Sequence, residues 1–378
     1  MTLRDRKNRP GPKKILALDG GGILGLISIE VLERIEALLR EREGRPDLVL
    51  ADYFDLCAGT STGAVISTLV SLGMSVDTIR SFYIECGPAM FDRASLLERL
   101  NYEYESEPLA RKLQSVIGPD REGEAADALA TLGTERLRTL LMVVTRNATT
   151  DSPWPITNNP DAKYNDRARS DCNLELPLWK VVRASTAAPS YFPPEVVDIG
   201  PRRFVFVDGG VTTYNNPAFL AFVTATTGPY HINWKAGERD MLVVSVGTGD
   251  YAREQPDLSP SQMNLLYIAK NTPGALMNAA SAGQDMLCRV FGKCLSGNPI
   301  DREIGDLIGA SGPTGEKLFT YMRYDADVSR KGLDALGLPD VNPAHVQLLD
   351  SVRYIDEIQR VGKAVAAKCV KAEDFAGF

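Results

Sequence analysis

Three short segments carry residues whose types and spacing could do chemistry. The first, Gly59-Thr60-Ser61-Thr62-Gly63, is a G-x-S-x-G pattern between an apolar run and a helix-compatible run, the setting of a nucleophile elbow. Such a turn forces the serine into a strained backbone and lifts its hydroxyl clear of the sheet. Gly59 and Gly63 flank it because side chains there would collide with the strand and the helix. The helix N-terminus adds a positive dipole beside a reacting carbonyl. An ordinary strand-to-helix turn has the same pattern, so Ser61 needs partners before it means anything.

The second segment is Asp19-Gly20-Gly21-Gly22-Ile23-Leu24-Gly25. It fits G-x-G-x-x-G, and a dinucleotide site then wants an acid about twenty residues on, at the end of the next strand. Glu41 and Glu43 fall near that distance but on a helix, and Asp52 and Asp55 lie further off. No G-x-x-x-x-G-K-[ST] occurs. Consecutive glycines suit another task better: they let bare backbone N–H groups approach a developing oxyanion. The third segment, Phe204-Val205-Phe206-Val207-Asp208-Gly209-Gly210, puts an acid at the end of an apolar strand, where active-site groups of parallel sheets collect. Asp-Gly is also a common turn.

A serine nucleophile needs a base. A Ser-His-Asp arrangement requires an imidazole, and His231 and His345 are the two in the chain. His231 lies in the turn-like Gly228-Pro229-Tyr230-His231 and His345 at the expected start of a helix. Neither has a motif around it. The alternative is that Asp208 acts directly on Ser61, and both arrangements stay open at this point.

The elements that must position these groups alternate between apolar runs and helical periodicity, the pattern of an α/β fold with a mostly parallel sheet and helices on its faces. Strands are expected at Lys14–Leu18, Tyr53–Ala58, Leu140–Val144, Phe204–Val207 and Met241–Val246. The first helix carries Ile29, Leu32, Ile35 and Leu39 on one face, and the elbow helix runs to about Leu72. Asn147–Pro177 is polar and rich in Asn, Asp and Pro, which predicts a long surface excursion. After Gly249, Gln255–Gln262 reads as a linker. The remainder reads as mostly helical, ending in a helix from Asn342-Pro343 that buries Leu349, Val352, Ile355 and Val361. The expected organisation is a basic, frayed tail over residues 1–14, a catalytic unit over 15–250 and a helical region over 251–378, packed on that unit or appended to it.

Composition narrows the function classes. With 42 Lys and Arg against 49 Asp and Glu, the net charge is −7 over 378 residues. That balance argues against broad binding to a nucleic-acid polymer or to anionic lipid, where a basic face supplies the affinity. No apolar run reaches the roughly 18 residues that span a bilayer, and the basic N-terminus lacks the apolar stretch of a signal peptide. The six cysteines show no metal-ligand spacing, and Cys57 reads as a buried thiol. A reduced, cytoplasmic protein with no cofactor and no metal is expected.

Taken together and in this order, the three motifs resemble the patatin-like phospholipases. Asp52-Tyr53-Phe54-Asp55, Ala184-Ser185-Thr186-Ala187-Ala188-Pro189 with Tyr191-Phe192-Pro193-Pro194, and Asn215-Asn216-Pro217 are similar to signatures of that family. The resemblance runs from about Ile15 to Gly249. It implies a three-layer α/β/α sandwich and a Ser61–Asp208 dyad without histidine. An oxyanion hole from the N–H groups of Gly20, Gly21, Gly22 and Thr62 is implied too, with Gly25, Gly59, Gly63, Gly209 and Gly210 as motif glycines. The implied activity is hydrolysis of phospholipid acyl esters at a membrane surface. One departure stands out: family members usually carry Arg or Lys where this chain has Leu24.

Residues 262–378 fall outside that resemblance. Val341-Asn342-Pro343 and Leu348-Leu349-Asp350-Ser351-Val352 are loosely similar to the tails of bacterial patatin-like effectors, some of which are switched on by cyclic nucleotides in anti-phage signalling. Arg289, Lys293, Arg302, Lys317, Arg323, Arg330 and Lys331 would supply the charge for a cyclic dinucleotide, or a solvated basic face. Phe82, Tyr83, Met90, Phe91 and Leu96–Leu97 would line an acyl channel, touch lipid, or simply pack the core.

Overall fold

The structure, a computed structural model, describes residues 2–91, 108–120, 129–189, 191–250 and 259–378. Its centre is a nine-stranded sheet of β1 (Lys13–Leu18), β2 (Leu56–Thr60), β3 (Leu140–Asn147), β4 (Ser152–Thr157), β5 (Glu195–Ile199), β6 (Arg202–Asp208), β7 (Met241–Val246), β8 (Lys293–Ser296) and β9 (Thr320–Tyr324). The order is β5-β6-β3-β2-β1-β7-β9-β8, with β4 on β3. The run from β3 through β2, β1, β7, β9 and β8 is parallel, whereas β4, β5 and β6 pair antiparallel.

Alternation along each strand sends side chains to opposite faces. Leu16, Leu18, Cys57, Leu141, Val143, Leu242 and Val244 meet one helical layer, which includes Gly25–Glu43, Thr62–Ser71, Leu178–Ser185 and Ile355–Cys369. Ile15, Ala17, Ala58, Met142, Val144, Val243 and Tyr321 meet the other, which includes Ala218–Thr226 and the end of Leu265–Phe291. These are the layers of an α/β/α sandwich. Gly44 ends the first helix in a left-handed conformation, φ 62°, which glycine adopts without a Cβ clash.

Several local expectations need correction. Tyr53 closes a one-turn helix, Leu50–Tyr53, and the second strand begins only at Leu56. Asp55 just before it bonds its N–H to the Lys14 carbonyl and its carbonyl to the Leu140 N–H, and its buried carboxylate accepts the Lys14 N–H at 3.0 Å and Arg9 at 2.8 Å. The N-terminal segment is no frayed tail. Leu3–Asn8 is helical, Arg6 is 2% exposed, and its guanidinium donates to the carbonyls of Ala51, Asp52 and Arg138. Among the described residues these carbonyls, at a helix end and a strand start, have no other donor.

The stretch Asn147–Pro177 is not one surface loop. It supplies β4, and its Asn158, Asn159 and Asn165 are buried. Asn158 takes the Leu141 N–H at 2.7 Å and donates to the Thr139 carbonyl at 3.1 Å. Past residue 250 the mostly helical chain also supplies β8 and β9, which extend the sheet from β7. Asn342 caps only the 3-10 turn Pro343–His345, and the last long helix starts at Ile355. That helix lies against Gly25–Glu43 so closely that a Cβ on Gly362 would stand 2.9 Å from the Ile27 Cα. Of the expected linker, only residues 259–262 lie within the described residues.

Candidate active site

β2 ends at Thr60 and the helix Thr62–Ser71 begins at once. Ser61 between them takes φ 54° and ψ −122°, a region that costs a non-glycine residue about 1–3 kcal/mol. The flanking glycines are demanded by contact. A Cβ on Gly59 would lie 2.1 Å from the Gly63 carbonyl oxygen, and one on Gly63 would lie 2.1 Å from that of Leu18. Gly25 stands over Thr62 in the same way, with a Cβ 2.6 Å from its Oγ1. The Thr62 hydroxyl in turn lies 2.6 Å from the buried Tyr83 hydroxyl.

Strand register brings Asp208 to this serine. On one edge of β3, Val144 pairs with Thr60 of β2 and Thr145 pairs with Asp208 of β6. β4 pairs with β3 over Met142–Asn147, so β2 and β6 must share the opposite edge, one handing over to the other between Val144 and Thr145. Ser61 and Asp208 meet at that hand-over. The Ser61 hydroxyl donates to Asp208 Oδ2 at 2.7 Å, and the Gly210 N–H donates to Oδ1 at 2.6 Å. Gly209 lets the turn pass β3, since a Cβ there would lie 2.2 Å from the Val144 carbonyl oxygen. Asp208 is 4% exposed. Burial pushes its carboxyl up to about 6, against the Ser61 hydroxyl, the Gly210 N–H and the charge of Arg183. A carboxylate so raised is a better proton acceptor than one at its ordinary value.

The glycine run lies directly over the serine. A Cβ on Gly20 would come 3.2 Å from the Ser61 Cβ, and one on Gly21 would strike Thr248. Gly22 has φ 58° and faces the Leu349 carbonyl, which a Cβ would approach to 2.3 Å. Gly20 departs from the expected oxyanion set, because its N–H donates to the Asn215 carbonyl at 3.2 Å. Among the described residues nothing accepts the N–H groups of Gly21, Gly22 or Thr62, and the last is a free donor at a helix N-terminus.

Sequence reasoning noticed Ser185 only as part of a family signature. In the structure its hydroxyl accepts the Ser61 N–H at 2.9 Å and donates to the Val144 carbonyl at 2.6 Å, tying the strained elbow to β3. Ser185→Ala leaves the Ser61 N–H without that acceptor, a loss of about 1–3 kcal/mol. The variant is expected to lose roughly tenfold in kcat, which steady-state kinetics beside a thermal melt would check.

A cavity of about 670 Å³ opens over the dyad. Leu24, Phe91, Thr186, Tyr191 and Phe192 line one part. Met277, Ser281, Asp285, Arg323 and Leu348 bring the C-terminal third into its wall. Leu24 is 4% exposed and packs in the core, so no cation stands at that position. Tyr83 and Met90 are core residues, Phe82 packs against the core, and Leu96–Leu97 lie outside the described residues.

Neither histidine joins the serine. His231 is exposed at φ 58°, and His345 is 2.9 Å from Glu357 and stacked on Tyr354. The basic residues considered for a phosphate ligand are largely spent on the protein itself. Arg289 pairs with Asp285, Arg323 with Asp19, Arg330 with Asp334 and Lys293 with Glu238. Lys317 donates to the carbonyls of Arg289 and Val290.

The chain is 29% identical to Patatin-2-Kuras 4 of Solanum tuberosum over 275 residues, 68% of this chain and 66% of that protein. With Patatin-17 of Solanum cardiophyllum it shares 28% over 273 residues, 68% and 63% of the two chains. It therefore spans just under two thirds of the length of these relatives. Among solved structures, VipD from Legionella pneumophila aligns over 93% of this chain and 67% of its own, at 12% identity and a TM-score of 0.35. The description "Patatin-like phospholipase" matches residues 16–222, more than half of the chain, and with it the protein belongs to the patatin-like phospholipase family.

Proposed function

We propose that this protein is a lipid acyl hydrolase of the phospholipase A type, working through a Ser61–Asp208 dyad. The observation that carries the reading is the 2.7 Å hydrogen bond from the Ser61 hydroxyl to a buried carboxylate, under a glycine turn with unengaged N–H groups. Ser61 Oγ attacks the ester carbonyl carbon while Asp208 takes the hydroxyl proton. The electron pair moves to the carbonyl oxygen, and the N–H groups of Gly21, Gly22 and Thr62 hold the resulting oxyanion. Collapse breaks the bond to the alcohol oxygen, which leaves with the proton from Asp208. Water, deprotonated by Asp208, then releases the fatty acid and restores Ser61.

The cavity rim supports a lipid substrate met at a surface. Val211 and Leu348 line the opening, and Leu276 follows on the helix beside Met277; they are 39%, 50% and 65% exposed. Peripheral contact with a bilayer would cover them. Among the described residues no helix is long and apolar enough to cross a membrane. The test is hydrolysis of a phospholipid carrying two different acyl chains, wild type beside Ser61→Ala, with products resolved by mass spectrometry. Release of one fatty acid, dependent on Ser61, is expected and identifies the acyl position. Folded wild-type protein that releases none refutes the reading.

A further inference from the structure

We propose that Arg323 on β9 is a positioning residue for the oxyanion loop, acting through Asp19; the proposal rests on the serine-hydrolase reading above. Ala17 of β1, Ser245 of β7 and Arg323 of β9 stand side by side in register. Since alternate residues share a face, Asp19 and Asp325 fall on that face too, just past the strand ends. The Arg323 side chain crosses β7, donating to Ser245 Oγ at 2.8 Å, and reaches Asp19 with both terminal nitrogens, 2.9 Å to Oδ1 and 2.7 Å to Oδ2. Asp325 receives the same guanidinium and accepts the Gly249 N–H at 2.8 Å. Arg323 is 6% exposed and Asp19 is 3% exposed.

This geometry has a consequence for the loop. Asp19 directly precedes Gly20, and a planar guanidinium gripping both carboxylate oxygens fixes orientation as well as distance. Beyond it, the Thr248 hydroxyl donates to the Gly20 carbonyl at 2.9 Å and the Leu349 carbonyl accepts the Ile23 N–H at 3.0 Å. Arg323, Thr248 and Leu349 all lie outside residues 16–222. The turn that aims the Gly21 and Gly22 N–H groups is thus held from both ends by the C-terminal part of the chain. A lysine at position 323 keeps the charge but not the two-pronged grip, so the loop can rotate away from the oxyanion position.

The test uses the full-length protein with Arg323→Lys, read by ester hydrolysis and by inhibition with a long-chain trifluoromethyl ketone. That probe adds to Ser61: the Oγ–carbon bond forms, the proton passes to Asp208, and the carbonyl π electrons become an oxyanion in the hole. The expected result is a fall in kcat of about 100-fold, as for loss of an oxyanion donor, with KM within about threefold. Ketone affinity should weaken by the same factor as kcat/KM, which is the signature of transition-state rather than ground-state loss. A folded Arg323→Lys with wild-type kcat overturns the proposal, and so does a loss of kcat with unchanged ketone affinity. Should the lysine variant fail to fold, the isosteric Asp19→Asn carries the same two readouts and the same expected and refuting results. Wild type that shows no Ser61-dependent hydrolysis removes the functional reading and this proposal together. An active wild type with an unaffected variant removes this proposal alone.

Discussion

Asp208→Asn is expected to lose turnover by about four orders of magnitude or more, since a nucleophile without its base retains only oxyanion and binding effects, and at neutral pH to melt higher than wild type. The first effect follows because an amide cannot accept the Ser61 proton. The second follows from burial. The Asp208 carboxyl titrates at about 6 in the folded protein against an ordinary 3.8. Between those two values the unfolded chain has released a proton that the folded protein still holds. Stability from this group is therefore full below pH 4, declines as pH rises to 6, and stays reduced above. Two pKa units correspond to a penalty of roughly 3 kcal/mol at pH 7. Asparagine removes the charge, still accepts the Gly210 N–H and offers the Ser61 oxygen a donor. Thermal melts at pH 4 and pH 7 decide the matter. An advantage of the variant confined to the higher pH supports the assignment, and a less stable variant at pH 7 contradicts it. In wild type the same titration predicts kcat/KM rising with pH and levelling off above about 6.

Ser61→Ala and Ser61→Gly are expected to be equally inactive, each losing roughly four to six orders of magnitude in kcat, yet to differ in stability. Alanine inherits the φ of 54° that the elbow imposes on Ser61. Glycine occupies that region without a Cβ penalty, so Ser61→Gly should be more stable than Ser61→Ala by about 1 kcal/mol. Chemical denaturation of the two variants measures the difference directly. Equal stabilities would mean that the elbow stores no strain, and measurable hydrolysis in either variant would remove Ser61 from the nucleophile role.

The parts of the site readable in the chain are those fixed by short-range sterics. Gly59 and Gly63 are glycines because backbone oxygens stand 2.1 Å from where a Cβ would sit, and that requirement is written into five consecutive residues. The run Gly20–Gly22 and the turn Asp208-Gly209-Gly210 are legible as short glycine motifs, although the groups that a Cβ would meet there, Asn215, Thr248, Leu349 and Val144, lie far along the chain. Also legible are β1 and β7, whose apolar runs are buried along their whole length on both faces, except for half-buried Lys14. Short or polar elements were not legible. The four residues of β8 and the asparagine network around β4 gain their conformation from partners far along the chain.

What the sequence by itself determined about this protein is its set of candidate groups: a serine on a strand-to-helix turn, a run of three glycines, and an acid at a strand end. Only the tertiary structure decided which groups meet. It placed Asp208, and neither histidine, against Ser61, because β6 takes over the edge of β3 where β2 stops. It removed Gly20 from the donor set by pairing its N–H with Asn215. It also joined Asp19 to Arg323 across 304 positions. A local pattern records a steric demand as glycines at fixed spacing, even where the atoms that would clash lie far along the chain, as Leu18 does from Gly63 and Leu349 from Gly22. Strand order and register bring together residues that share no local signal, and here they put Asp208 against Ser61 and Arg323 against Asp19.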